Sequence, residues 1–202
     1  MDAHMNDTEL KRYQLLSTGF WNVPSEAYLD ELSENLPLFE TGQGAAENGI
    51  AHIERYLQTR SEASVHDLAV DFTSTFIGQK SDDPFPYESI YTSEGRLLKQ
   101  ESCDEVCEMY RAYEFEPDRQ MSNEPEDYLS TMFAFLAYLR AKELESRSVG
   151  DSDGSERYVQ AASFFKENHL RNWVPQFRAE VEGKAETDFY KGLAYLAEAA
   201  CE

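Results

Sequence analysis

Asn123-Glu124-Pro125-Glu126-Asp127-Tyr128-Leu129-Ser130-Thr131-Met132-Phe133-Ala134-Phe135-Leu136 passes from an acidic, proline-bearing turn into an apolar run. Within the run, Leu129, Met132, Phe133 and Leu136 follow the i, i+3, i+4, i+7 spacing that lines one face of an α-helix. The same spacing recurs in both directions along the chain. Leu68, Phe72 and Phe76 come four residues apart, Val106, Met109, Tyr110 and Tyr113 repeat the pattern, and so do Phe189, Leu193, Leu196 and Ala200. Composition points the same way. Ala and Leu together number 37 and Val and Ile only 12, so the β-branched stock for strands is thin. The fold class is all-α.

The pattern predicts helices over 6–20, 24–35, 46–59, 64–78, 102–115, 124–146, 155–168, 171–182 and 185–200. Ser102-Cys103-Asp104-Glu105 reads as a capping box, and Ser64-Val65-His66-Asp67 as a weaker one. Asn123 is placed to cap a helix whose first turn holds Pro125, where a missing N–H costs little. Gly183 suits a left-handed helix end. Gly78 to Lys99, with Pro84, Pro86 and Gly95, is the least helical stretch, and Val149 to Gly154 reads as an exposed, mobile loop. No repeat, low-complexity tract or long linker divides the 202 residues, so one domain is expected over 1–202, with a subdivision near 117–123 as the variant.

With 39 acidic and 18 basic side chains the net charge is −21, which disfavours nucleic acid and anionic membranes and would steer a basic partner. Three cysteines, Cys103, Cys107 and Cys201, fit a reducing compartment rather than a disulfide framework. Cys103 and Cys107 share a helical face without forming Cys-x-x-Cys. The four histidines (His4, His52, His66, His169) show no ligand spacing, and no metal is expected. No apolar run nears the ~18 residues of a membrane span. Met1 to Asp7 lacks the basic flank and apolar stretch of an export signal, so a cytoplasmic protein is expected.

Phosphate loops, dinucleotide fingerprints and nucleophile elbows are missing, so neither an enzyme nor a cofactor is expected. Asp82-Asp83 is the pair an all-helical metal-dependent enzyme would use, but in a Pro-rich loop it reads first as a turn. His66-Asp67 reads as a structural, hydrogen-bonded histidine. Two segments carry more. In Pro84-Phe85-Pro86-Tyr87-Glu88-Ser89-Ile90-Tyr91, rings with no helix of their own must pin the loop to the core or line a groove. In Glu124 to Asp127, carboxylates either meet the positive end of a helix dipole or stand ready for an incoming arginine fork.

Together these segments resemble the TorD/DmsD/NarJ family, cytoplasmic chaperones of molybdenum-containing oxidoreductases. Pro86-Tyr87-Glu88-Ser89-Ile90-Tyr91 is similar to the family's Pro-x-x-Ser-x-Tyr loop, and Glu124-Pro125-Glu126-Asp127-Tyr128-Leu129 to its Glu-Pro-x-Asp-His-Leu element, with Tyr128 in place of the usual His. Phe165, His169, Leu170, Trp173, Pro175 and Phe177 resemble a third landmark, and Phe189-Tyr190-x-x-Leu193 the closing helix.

The resemblance implies a larger N-terminal and a smaller C-terminal helical part. It also implies binding of the twin-arginine leader of a redox subunit until cofactor insertion and export. A leader has a basic region and an apolar region of about 7–15 residues, which an acidic rim and an apolar groove would hold in the helix-in-groove manner. Asp127, Glu124 and Glu126 are then assigned to the arginines, and Phe72, Phe76, Phe85, Tyr87 and Tyr91 to the groove. Pro86, Ser89, Pro125 and Tyr128 complete the peptide site, and His169 and Trp173 are assigned a structural role. The alternatives are a chaperone for a redox subunit N-terminus without a cleavable leader, or the metal-dependent enzyme at Asp82 and Asp83. Guanine-nucleotide binding, proposed for some members, is not carried over because no nucleotide loop is present. Either a monomer or a domain-swapped dimer is compatible.

Overall fold

The structure of the protein, a computed structural model, describes residues 7–40, 44–60, 64–78, 80, 82–118 and 124–202. Among these residues the regular elements are all helical. They are α1 (Thr8–Trp21), α2 (Glu26–Asn35), a 3₁₀ turn (Leu36–Phe39), α3 (Ala45–Thr59), α4 (Ser64–Phe76), α5 (Glu88–Thr92), α6 (Glu101–Ala112), α7 (Leu129–Ser148), α8 (Ser152–His169), α9 (Val174–Lys184) and α10 (Asp188–Cys201). The only extended pairing among the described residues is a single antiparallel bridge between Tyr87 and Tyr128. The all-α fold class read from the composition holds.

The centre of the molecule is α7. Leu129, Met132, Phe133 and Leu136 are fully buried, but so are Phe135 and Leu139 on its other sides. A helix segment that is apolar all round must be enclosed, and α1 and α8 pack against α7. Tyr13 of α1 stacks on Phe133 with ring centroids 6.3 Å apart, and Phe165 of α8 meets Phe135 edge-on at 4.9 Å. A second contact joins distant ends of the chain, where α10 packs on α3 and α9. There the α3 and α10 backbones approach so closely that a Cβ on Gly192 would lie 2.9 Å from the Gly49 carbonyl oxygen, and only glycine fits.

Several boundaries differ from those anticipated. α7 starts at Leu129 rather than near 124, because Tyr128 is extended and its neighbours' backbone groups are committed elsewhere. The Leu129 amide donates to the Pro86 carbonyl at 2.9 Å and the Glu88 amide to the Asp127 carbonyl at 3.2 Å. Glu124 to Asp127 therefore precede the helix and do not occupy its first turn. α5 forms inside the stretch expected to be least helical. Ser102 lies one residue inside α6, whose N-cap is Gln100, and its hydroxyl accepts from Thr92 Oγ1 at 3.1 Å. Gly183 is within α9 and not at its end. The expected loop to Gly154 is shorter, because the Asp151 side chain accepts from the Gly154 amide at 2.9 Å and starts α8 at Ser152. The cap at Asn123, part of the boundary near 117–123, His4, and the Ser64 side-chain cap all fall outside the described residues.

Candidate functional site

The two segments singled out by their residues meet. Around the Tyr87–Tyr128 bridge, Asp127 is fully buried and its Oδ2 accepts from the Ser89 amide at 2.8 Å, so the carboxylate fastens the start of α5 to the turn before α7. Ser89 is also fully buried, and the Ser89 hydroxyl and Asp127 Oδ1 have no hydrogen-bond partner. Tyr128, standing where the resembling family has His, packs its ring 5.1 Å from that of Tyr87 and donates its hydroxyl to the Phe20 carbonyl. The Tyr87 hydroxyl donates to Glu124, whose side chain is exposed.

Behind this junction lies a buried Glu88–His169 pair. Glu88 is 1% exposed, and His169 Nδ1 stands 3.2 Å from its Oε2. Burial pushes the Glu88 carboxyl above the ordinary range, against the opposing pull of His169. Trp173 donates from Nε1 to the His169 carbonyl at 2.6 Å, and Tyr91 stacks on Trp173 at 5.2 Å. Arg96, in the left-handed region at φ 55°, makes a bidentate pair with Glu180 at 2.9 Å and 2.9 Å and donates to the Asp83 carbonyl. His169 and Trp173 thus brace the loop as well as the C-terminal helices.

The remaining predicted residues divide between surface and core. Glu124 is exposed, Phe85, Tyr87, Tyr91 and Glu126 are half-buried, and Pro86 and Pro125 are buried at the junction. Phe72 and Phe76 lie apart from it in the core, Phe72 against Tyr190 and Phe76 against Phe20, Phe177 and Tyr190. Asp83 is buried and paired with Lys184 at 2.9 Å, while Asp82 points to solvent, so the two do not form a joint metal-binding set. The Lys184 ammonium lowers the Asp83 carboxyl below its ordinary value.

Sequence reading missed the apolar opening beside the junction. A cleft of about 300 Å³ runs between the end of α1 and the start of α7, lined by Trp21, Phe115, Thr131 and Ala134 among others. Trp21 reaches Tyr128 edge-on at 6.4 Å, so the cleft and the bridge share a wall. Its lining comes from three separated segments, none with a motif. A wider cleft of about 750 Å³ opens on the other side of Phe115, where Glu126 meets Cys107 and Tyr110 of α6. No helix among the described residues is long and apolar enough to cross a membrane.

Comparison with known proteins bears on this geometry. Residues 42–179 match the family described as nitrate reductase delta subunit. The chaperone protein TorD of Vibrio cholerae is 32% identical over 141 residues, which is 70% of this chain and 61% of that protein. The chaperone protein TorD of Photobacterium profundum is 27% identical over 146 residues, 72% of this chain and 65% of that one. The perchlorate reductase assembly chaperone protein of Dechloromonas aromatica is 32% identical over 133 residues, 63% and 57% of the two chains. The chain thus spans less than two thirds of the length of each of these relatives.

Proposed function

The chain belongs to the nitrate reductase delta subunit family, and from that membership we propose that it is a maturation chaperone, not an enzyme. It holds the N-terminal twin-arginine leader of a molybdenum-containing oxidoreductase subunit in the cytoplasm until cofactor insertion and export. The relatives named as chaperones of TorD type and of perchlorate reductase assembly support the chaperone part of this reading.

One observation carries the leader part. An acidic turn and an apolar cleft lie side by side, joined through the Tyr87, Tyr128 and Trp21 rings. A leader offers a basic stretch followed by an apolar one, in that order and at short separation. Glu124 on the rim meets the guanidinium groups, where charge-assisted forks are strongest. Asp127 acts from below by holding the turn in place. The cleft takes the apolar stretch, Phe72 and Phe76 support it through the core, and the net charge of −21 speeds encounter with a basic segment. All the helices act as one unit in this reading.

The burial of Asp127 favours a second reading, in which the client's N-terminus is held without strict reading of an arginine pair. Calorimetric titration of a twin-arginine leader peptide at low and high salt separates the two. The leader reading expects affinity that weakens with salt and falls about tenfold when both arginines become glutamine. Equal affinity for the two peptides supports the second reading, and no binding of either peptide contradicts both.

A further inference from the structure

We propose that Cys103, Cys107 and Glu126 form a binding site for a thiophilic d¹⁰ cation of the zinc(II) class. Their ligand atoms, two thiol sulfurs and a carboxylate oxygen, all lie within 4.8 Å of one another, and no other trio of His, Cys, Asp or Glu does so among the described residues. The cysteines are four apart on α6, so both thiols rise from one helical face. Glu126 arrives from the turn before α7, a different element, which is why cysteine spacing alone predicts no metal.

The dimensions suit the ion. With Zn–S near 2.3 Å, tetrahedral sulfur ligands sit about 3.8 Å apart, a spacing compatible with ligand atoms that lie within 4.8 Å of one another. Three protein ligands leave a fourth position open. Cys107 and Glu126 both line the cleft of about 750 Å³, from which a water or an incoming side chain can complete the shell.

A second observation lies on the same turn. Asp127, next to Glu126, is fully buried and its Oδ1 lacks a hydrogen-bond partner, a polar oxygen that a cation nearby would help to satisfy. Binding replaces two S–H bonds with two S–Zn bonds and releases two protons to solvent, with no change of oxidation state. The metal would tie α6 to the turn that carries Glu124 and Asp127.

Cobalt(II) titration of the reduced full chain tests the site. One equivalent is expected to bring thiolate-to-cobalt charge-transfer absorption and the d–d bands of a tetrahedral ion, both displaced by zinc. Cys107→Ser, at a half-buried position, is expected to cut the charge-transfer intensity by at least half. Glu126→Gln is expected to keep the fold by circular dichroism and weaken cobalt affinity about tenfold or more. Cys201→Ser leaves the spectrum unchanged, since that thiol is buried elsewhere and 3.1 Å from the Ala197 carbonyl. Absence of a charge-transfer band in the reduced wild-type chain overturns the proposal. So does a band undiminished in Cys107→Ser, or unchanged affinity in folded Glu126→Gln.

Discussion

The α1–α7–α8 core and the junction of Pro86–Tyr91 with Glu124–Tyr128 are held by different physics. In the core, apolar rings and aliphatic side chains fill space, and position along a helix decides what is buried. At the junction, two irregular segments far apart in the chain are fixed by backbone pairing and by buried polar groups, Asp127, Ser89, Glu88 and His169. The core can lose one contact and keep its shape, because its energy is spread over many atoms. The junction depends on a few directional bonds whose loss leaves a charge or an amide buried alone. Core substitutions should therefore change stability and leave recognition alone, and junction substitutions should change recognition.

Phe133→Ala breaks the core side of that contrast most severely. The ring is fully buried between α1 and α7, so truncation should cost about 3–5 kcal/mol in denaturant melts while the remaining folded molecules bind peptide with unchanged affinity. Asp127→Asn comes next. It keeps shape and leaves the Ser89 amide a neutral acceptor in place of a carboxylate, a loss of about 1 kcal/mol. Hydrogen exchange at Ser89 should accelerate well beyond that in α10, and peptide affinity should fall.

A smaller effect separates the two regions by pH. The Glu88 carboxyl is raised by burial among His169, Asn172 and Asp127. The stability attached to it is fully present below its ordinary value of 4.5 and is lost as pH rises through its folded value. Asp83, lowered by Lys184, has the opposite sign, contributing above 3.8 and losing its contribution as pH falls. Melting temperatures of wild type and Glu88→Gln, compared from about pH 4 to pH 8, should diverge as pH rises, with the variant losing less. Parallel curves would show that Glu88 titrates no differently in the two states. The smallest stability change belongs to Glu124→Gln, within about 0.5 kcal/mol as for other exposed positions. Yet it should weaken leader binding and flatten its salt dependence.

What the sequence makes legible follows the same divide. The stripes at Leu68–Phe76, Leu129–Leu136 and Phe189–Ala200 are local patterns, and each becomes a buried helix face. The Pro86 and Glu124 segments are visible as unusual, and the family resemblance pairs them. Their bridge is non-local, however, so nothing near Tyr128 signals that it is extended and that α7 begins at Leu129. Nor does an acidic turn reveal that Glu124 faces solvent while Asp127 is enclosed, since that depends on which carboxylate the Ser89 amide reaches. The Trp21 cleft and the Cys103–Cys107–Glu126 trio are assembled across elements with no shared spacing, and both are invisible in one dimension.

The junction's role as the peptide surface is tested most directly by hydrogen exchange of the full chain with and without a twin-arginine leader peptide. Slowed exchange confined to Ser17–Trp21, Tyr87–Tyr91 and Glu124–Ala134, with α3 and α10 unchanged, is the predicted result. Protection centred on α3 and α10, with the junction unaffected by a bound peptide, would contradict it.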